Sequence, residues 1–298
     1  MTVITDLWNA VAQRLSVATG QSFAIRERHA LSGGCINQAW KISDGERAFF
    51  VKIHAAAGLA MFEAEAAGLT ELAAAQTVRV PKPVSWGSTA GLAWLALEYL
   101  PLGGTGAQAM ATLGRQLAAL HRQPQPYFGW RHDNTIGSTL QRNARSDHWI
   151  DFWREWRLGF QLQLAAANGY GGGLQRQGER LLAELAGLFV SYQPTPALLH
   201  GDLWGGNAGC TVAGEPVVFD PAVYYGDREA DLAMTELFGG FPEGFYAAYR
   251  EAWPLDAGYL QRRSLYNLYH VLNHLNLFGG GYLAQAERLI AQLLAELR

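Results

Sequence analysis

The chain has 298 residues, 49% of them hydrophobic and 16% charged, with a formal net charge of −3. That length suits one large domain or two lobes sharing a cleft, since single cores rarely grow past about 250–300 residues, and the apolar fraction excludes a disordered chain. The slightly negative balance, without any Lys/Arg-rich run, argues against a nucleic-acid partner held through its phosphates.

Cys35 and Cys210 are the two cysteines, too few for a disulfide scaffold and without the clustered spacing of a zinc site, which fits a reducing cytoplasm. The opening MTVITDLWNAVAQRL alternates like an amphipathic helix instead of following a basic segment with an apolar run, so no export signal is expected. No uninterrupted apolar stretch reaches the roughly 18 residues of a spanning helix, so no membrane partner is expected.

In chain order, the opening helix is followed by FAIRERHAL, CINQAWKI, a DG turn and RAFFVKIH, which predict a curled antiparallel sheet around a Gly-Gly pair. A helix is predicted from about Gly58 to Ala75, then the breaker-rich VPKPVSWGSTAG, then the apolar strand LAWLALEYL, closing against Pro101. Residues 1–100 thus read as a small α+β lobe. Residues 101–298 read as a larger, mainly helical lobe, with helical periods in ATLGRQLAALH, DHWIDFWREWRLGFQLQLA and RLLAELAGLF. Its one β interruption is HGDLWGGNAGCTVAGEPVVFDP, where CTV and PVVF can pair across Ala213-Gly214-Glu215.

Within this frame a set of residues stands out. Lys52 lies among large apolar residues of a predicted strand, where an ammonium needs a counter-charge or a phosphate unless it snorkels from an edge. On the following helix, Met61, Glu65, Leu69 and Leu72 share one narrow stripe, while Glu63 lies opposite, so Glu65 is the carboxylate predicted to pair with Lys52. The loop Leu31-Ser32-Gly33-Gly34-Cys35-Ile36-Asn37 can bring backbone N–H groups to phosphate oxygens, although an ordinary hairpin turn would look the same. Glu98-Tyr99-Leu100 ends the last strand of the small lobe, where an inter-lobe linker can offer backbone groups to an adenine edge; a plain strand end before a proline reads equally well.

His200-Gly-Asp-Leu-Trp-Gly-Gly-Asn207 carries the strongest signal, with Asp220 thirteen residues later at the end of PVVF. Phosphoryl transfer needs a carboxylate to orient and deprotonate the acceptor hydroxyl and oxygen ligands to hold magnesium against nucleotide phosphates. Asp202 supplies the first, Asn207 and Asp220 the second, although an ordinary turn rich in Asp, Asn and Gly carries the same residue types. Asp231, His270 and His274 are expected to brace a loop and pack a helix.

These residues resemble the fructosamine kinase, or ketoamine kinase, family with its bacterial members, and the resemblance extends through FGWRHDNTIGST, FDPAVYYGDREADLAMTELFGGF and LYHVLNHLNLFGGGY. It implies a two-lobed protein-kinase-like fold with ATP in the cleft, Asp202 as base, Asn207 and Asp220 as Mg2+ ligands, and Lys52, held by Glu65, on the phosphates. It further implies phosphorylation of the sugar 3-hydroxyl of ribulosamine, erythrulosamine or fructosamine adducts, on small molecules or glycated protein lysines, as a step in deglycation. Asp220 is followed by Pro-Ala and no long activation segment, which makes protein phosphorylation an unexpected activity. Trp204 and Asp227 are the candidates for the sugar site, and Cys35 for a redox-sensitive thiol in the glycine loop. A monomer is expected, with a dimer as the alternative. Two other readings stay open: a kinase of another hydroxyl compound such as an aminoglycoside or choline, and a nucleotide-binding module without catalysis.

Overall fold

The computed structural model describes residues 2–31, 37–104 and 106–298. Its first elements are α1 (Thr2–Thr19), β1 (Glu27–Leu31), β2 (Gln38–Ser43), β3 (Ala48–Ala55), α2 (Leu59–Ala74), β4 (Pro83–Thr89), β5 (Leu92–Glu98) and β6 (Leu102–Gly103). Next come α3 (Ala107–His121), β7 (Asn134–Ile136), β8 (Thr139–Gln141), α4 (Trp149–Trp153), α5 (Phe160–Ala167), α6 (Gly173–Glu184) and β9 (Ala197–Leu199). The chain closes with β10 (Ala208–Thr211), β11 (Pro216–Val218), β12 (Tyr224–Gly226), α7 (Glu229–Leu237), α8 (Glu243–Ala252), α9 (Tyr259–Phe278) and α10 (Leu283–Glu296). Two compact units result: Met1–Thr105 with Gly209–Asp220, and Gly106–Ala208 with Pro221–Arg298.

The first unit is built on a five-stranded antiparallel sheet in the order β1-β2-β3-β5-β4. Alternation along β3 sends Phe49, Val51 and Ile53 into a core shared with Leu7, Val11 and Leu15 of α1 and Trp94 and Ala96 of β5, and sends Lys52 to the opposite face. VPKPVSWGSTAG, breaker-rich and given no strand above, contributes the edge strand β4. Its proline stands at the first strand position, on an edge and beside a bulge between Pro83 and Ser85, where a missing N–H costs no central ladder bond. The segment Gly209–Asp220 joins this unit because β10 pairs with β6, Cys210 opposite Gly103, and β11 flanks β10. The turn between β10 and β11 is closed by Thr211 N–H donating to Glu215 O at 2.8 Å.

The second unit is mainly helical. The long helical period over residues 149–167 is broken by a π-helical stretch, Arg154–Gly159, between α4 and α5; such stretches are rare and concentrate at functional places. Trp149, Phe152 and Trp153 pack there with Tyr224, Tyr266 and Tyr269 into an aromatic core. Helices α3 and α8 cross closely at Gly114, where a Cβ would lie 2.3 Å from Phe245 O. Gly114→Ala should therefore overpack this crossing and destabilise the protein by about 1–3 kcal/mol, read as a lowered thermal midpoint. An unchanged midpoint would show that the two helices separate at no cost.

Candidate active site

In the first unit Lys52 is buried, and its Nζ donates to Glu65 Oε1 at 2.7 Å and to Asp220 Oδ1 at 2.7 Å. The pairing follows from local geometry. Strand alternation turns Lys52 away from the α1 core, and the period of α2 brings Glu65 to meet it while Glu63 stays exposed. Burial works against the ammonium, but the carboxylates of Asp220 and Glu65 outweigh it and hold Lys52 above its ordinary pKa. Burial pushes Glu65 up while Lys52 pulls it down and Asp220 pushes it up further. One ammonium thus faces two carboxylates at 2.7 Å each.

Asp220 sits at φ +58°, a left-handed conformation that Asp and Asn tolerate better than other side chains and that marks functional places when it is maintained. Glu98 is half-buried; its Oε1 accepts from Arg79 Nη2 at 2.5 Å and its Oε2 from Lys82 N–H at 3.2 Å. Arg79 had no sequence signal as a partner, because only the sheet brings residues 79 and 98 together. Lys41 Nζ lies 4.7 Å from the Tyr99 ring centroid, and Leu100 follows at the strand end, half-buried. Ser32, Gly33, Gly34 and Cys35 lie outside the described residues.

In the second unit the loop after β9 presents Asp202. Asn207 Nδ2 donates to Asp202 O at 2.9 Å and to Asp202 Oδ2 at 3.0 Å, so the D-x-x-x-x-N spacing closes on itself. Gly201 has φ +81°, and a Cβ there would lie 2.0 Å from Ala222 O, so this position requires glycine on both counts. The loop is braced from below by Asp231, whose carboxylate accepts His200 N–H at 2.7 Å and Gly201 N–H at 2.8 Å. His121 Nε2 lies 3.2 Å from Asp231 Oδ2 and its Nδ1 2.9 Å from Tyr249 Oη, completing a buried brace between α3, α7 and α8. Burial would raise the Asp231 carboxyl, but the hydrogen bond from His121, the nearby His200 ring and the Gly201 N–H hold it below its usual range.

Trp204 is 38% exposed and meets Phe238 edge-on at 6.1 Å, and Phe238 in turn lies 4.8 Å from the His274 ring. Asp227 is a correction. It is fully buried and accepts Tyr192 Oη at 2.8 Å, Tyr266 Oη at 2.5 Å and Glu229 N–H at 3.1 Å, so it meets the protein instead of a sugar. The sequence carried no information about which way it points.

The donors suggested for magnesium suit that ion chemically. An amide oxygen and a carboxylate are hard oxygen ligands, and magnesium held with nucleotide phosphates takes one or two protein carboxylates rather than an all-protein cage. Accordingly, no cluster of three or more His, Cys, Asp or Glu residues is required of the protein, and none occurs among the described residues.

A lysine held between a helix glutamate and a strand-end aspartate, together with an Asp–Asn loop braced from its own unit, defines the protein-kinase-like phosphotransferase fold. Choline kinase LicA from Streptococcus pneumoniae shares that fold at TM-score 0.63 and 15% identity, covering 97% of this chain and 99% of that one. The fructosamine kinase family model matches residues 7–296, and the chain belongs to that family. A probable ketoamine kinase of Synechocystis sp. is 50% identical, covering 96% of this chain and 97% of the relative. The chloroplastic protein-ribulosamine 3-kinase of Arabidopsis thaliana is 43% identical, covering 94% of this chain and 86% of the relative. A crystal structure of a provisionally named fructosamine-3-kinase from Haemophilus somnus 129PT superposes with TM-score 0.89 at 32% identity, covering 96% and 97% of the two chains. Among the described residues no helix is long and apolar enough to cross a membrane.

His270 and His274 behave as packing residues. Burial, with His274 beside it, pushes His270 down to about 3 from 6.5. A depressed folded pKa means that the unfolded chain binds the proton first. The corresponding stability is complete above about pH 6.5 and is lost as pH falls towards 3, about 2 kcal/mol of it by pH 5. Denaturant unfolding at pH 7 and pH 5 should show that loss, and His270→Gln should remove about that amount of the difference. An equal loss in the variant would assign the acid sensitivity to other groups.

Proposed function

We propose that the chain transfers the γ-phosphoryl group of ATP to the sugar 3-hydroxyl of ketoamines, with ribulosamine and erythrulosamine adducts preferred to fructosamine. Lys52, held by Glu65, contacts the nucleotide phosphates, and the strand end at Glu98–Leu100 meets the adenine edge. Asp202 orients the 3-hydroxyl and takes its proton as the oxygen attacks the γ-phosphorus and the bond to ADP breaks. Asn207 and Asp220 would hold magnesium, which would neutralise the phosphate charge. Trp204 offers an aromatic face to the sugar. The new phosphate stands on the carbon next to the C2 ketone, so enolisation towards C1 expels it and the amine is freed by hydrolysis, whether on a free amino acid or a protein lysine.

The observation that carries the phosphotransfer half of this reading is Lys52 shared at 2.7 Å by Glu65 and Asp220, a costly buried charge arrangement that phosphate binding explains. The acceptor half rests on the family and on the ribulosamine 3-kinase relative.

A panel of ribuloselysine, erythruloselysine, fructoselysine, choline and an aminoglycoside, each with ATP and magnesium, separates the acceptors. The ketoamines should consume ATP and release free amine, and Asp202→Asn should cut turnover by at least about a hundredfold. Turnover of choline or the aminoglycoside alone would replace the acceptor, and no turnover of any acceptor would leave a nucleotide-binding module.

A further inference from the structure

The segment FGWRHDNTIGST and the residues after it contribute no group to the chemistry above, yet they form a buried polar network of unusual extent. Asn134, Gln141 and Asn143, on and beside the β7–β8 hairpin, are all buried. Gln141 Nε2 donates to Ala222 O at 3.0 Å and to Asn134 Oδ1 at 2.8 Å, while its Oε1 accepts Tyr269 Oη at 2.7 Å. Asn134 Nδ2 donates to Val223 O at 2.8 Å, and Asn143 Nδ2 to Asn134 Oδ1 at 2.9 Å. The chain of donors begins at Arg157, fully buried in the π-helical stretch, whose Nη2 donates to Asn143 Oδ1 at 2.7 Å. Arg157 has backbone carbonyls and aromatic rings for company: its Cζ is 4.1 Å from the Tyr224 ring centroid and 4.6 Å from that of Phe152.

Burying three amides and a guanidinium is costly, the more so because Arg157 Nε finds no hydrogen-bond partner among the described residues. What the network holds explains its retention. It ends on the carbonyls of Ala222 and Val223, and Ala222 is the residue against which the catalytic loop is seated. Ala222 N–H donates to His200 O at 2.9 Å, and Ala222 O occupies the space that a Cβ on Gly201 would need. Asp202 is the next residue. Tyr269, the third partner of Gln141, feels that aspartate too: burial first, and Asp202's charge with it, hold the phenol up at about 12, against the pull of Arg157.

We propose that Gln141 is a positioning residue for phosphoryl transfer: its amide, oriented by Tyr269 and Asn134, fixes Ala222 and thereby the seat from which Asp202 addresses the acceptor hydroxyl. The inference rests on Asp202 being the base. Gln141 touches no substrate; a displacement of its Ala222 contact moves the base, and catalytic groups displaced by even an ångström lose large factors in rate while substrate binding persists.

Steady-state kinetics well below the unfolding midpoint of each variant tests this. Gln141→Met keeps the side-chain length and removes both donors and the acceptor. It should lower kcat about tenfold or more, with KM for ATP and for the ketoamine within about twofold of the parent. Tyr269→Phe, which deletes one hydroxyl, should lower kcat less, and the double variant should be no slower than Gln141→Met because both act through the same amide. Leu181→Ala, a buried truncation in α6, supplies a destabilised control whose kcat should stay at the parent value. Full kcat in Gln141→Met, a loss matched by Leu181→Ala, or additive losses in the double variant would overturn the proposal. If Gln141→Met does not fold, full kcat in Tyr269→Phe overturns it. Asp202→Asn separates the two levels: turnover surviving in that variant removes the base assignment itself, whereas a dead Asp202→Asn beside a fully active Gln141→Met removes only the role of Gln141.

Discussion

A buried ammonium that must be paid for in counter-charge shapes the first unit. Lys52 stands in the middle strand of the sheet, and an unpaired charge there would be expelled or neutralised. Glu65 on α2 and Asp220 after β11 prevent that, and in doing so they tie the sheet, the helix and the β10–β11 hairpin to one atom. The hairpin belongs to the unit on structural grounds as well, since β10 pairs with β6. Apolar side chains of similar volume often serve a fold as well as a buried ion pair, so the cluster is weak evidence of stability and is consistent with the phosphate contact proposed for Lys52.

The second unit meets a different constraint, the placement of a loop that has almost no regular structure of its own. Backbone N–H groups of His200 and Gly201 are taken by Asp231, which is backed in turn by His121 and Tyr249. On the other side Ala222 closes against His200 and Gly201. Asp231 and Ala222 thus hold His200 and Gly201 from two sides, which fixes the backbone immediately before Asp202. Asn207 then fixes the carboxylate from within the loop.

Where local spacing decides geometry, the site was legible in the sequence. The period of a single helix was enough to choose Glu65 over Glu63, and the five-residue step from Asp202 to Asn207 is a contact made within one turn. Where tertiary packing decides, the sequence was silent or misleading. Pro81 and Pro83 hid β4, because a proline disqualifies a central strand but not an edge. Asp227 stood as a candidate polar group for the sugar site, whereas Tyr192 and Tyr266, far from it in sequence, enclose it. Asn134, Gln141 and Asn143 carry the amides typical of surface turns, and nothing in their spacing shows that Arg157 lies beneath them. The family resemblance reached Asn134, within FGWRHDNTIGST, without giving it a task, and did not reach Gln141, Asn143 or Arg157.

In the function proposed above, the buried charge at Lys52 receives a nucleotide phosphate and Glu65 keeps it in place for that purpose. Calorimetric titration of magnesium with a non-hydrolysable ATP analogue into the parent protein and into Glu65→Gln tests it without reference to the acceptor. Glu65→Gln should remain folded, because Asp220 still pairs with Lys52, and should bind the nucleotide at least about tenfold more weakly, a difference of about 1.4 kcal/mol. Equal affinity in the two proteins would contradict the account and leave the Lys52–Glu65 pair a feature of the fold alone.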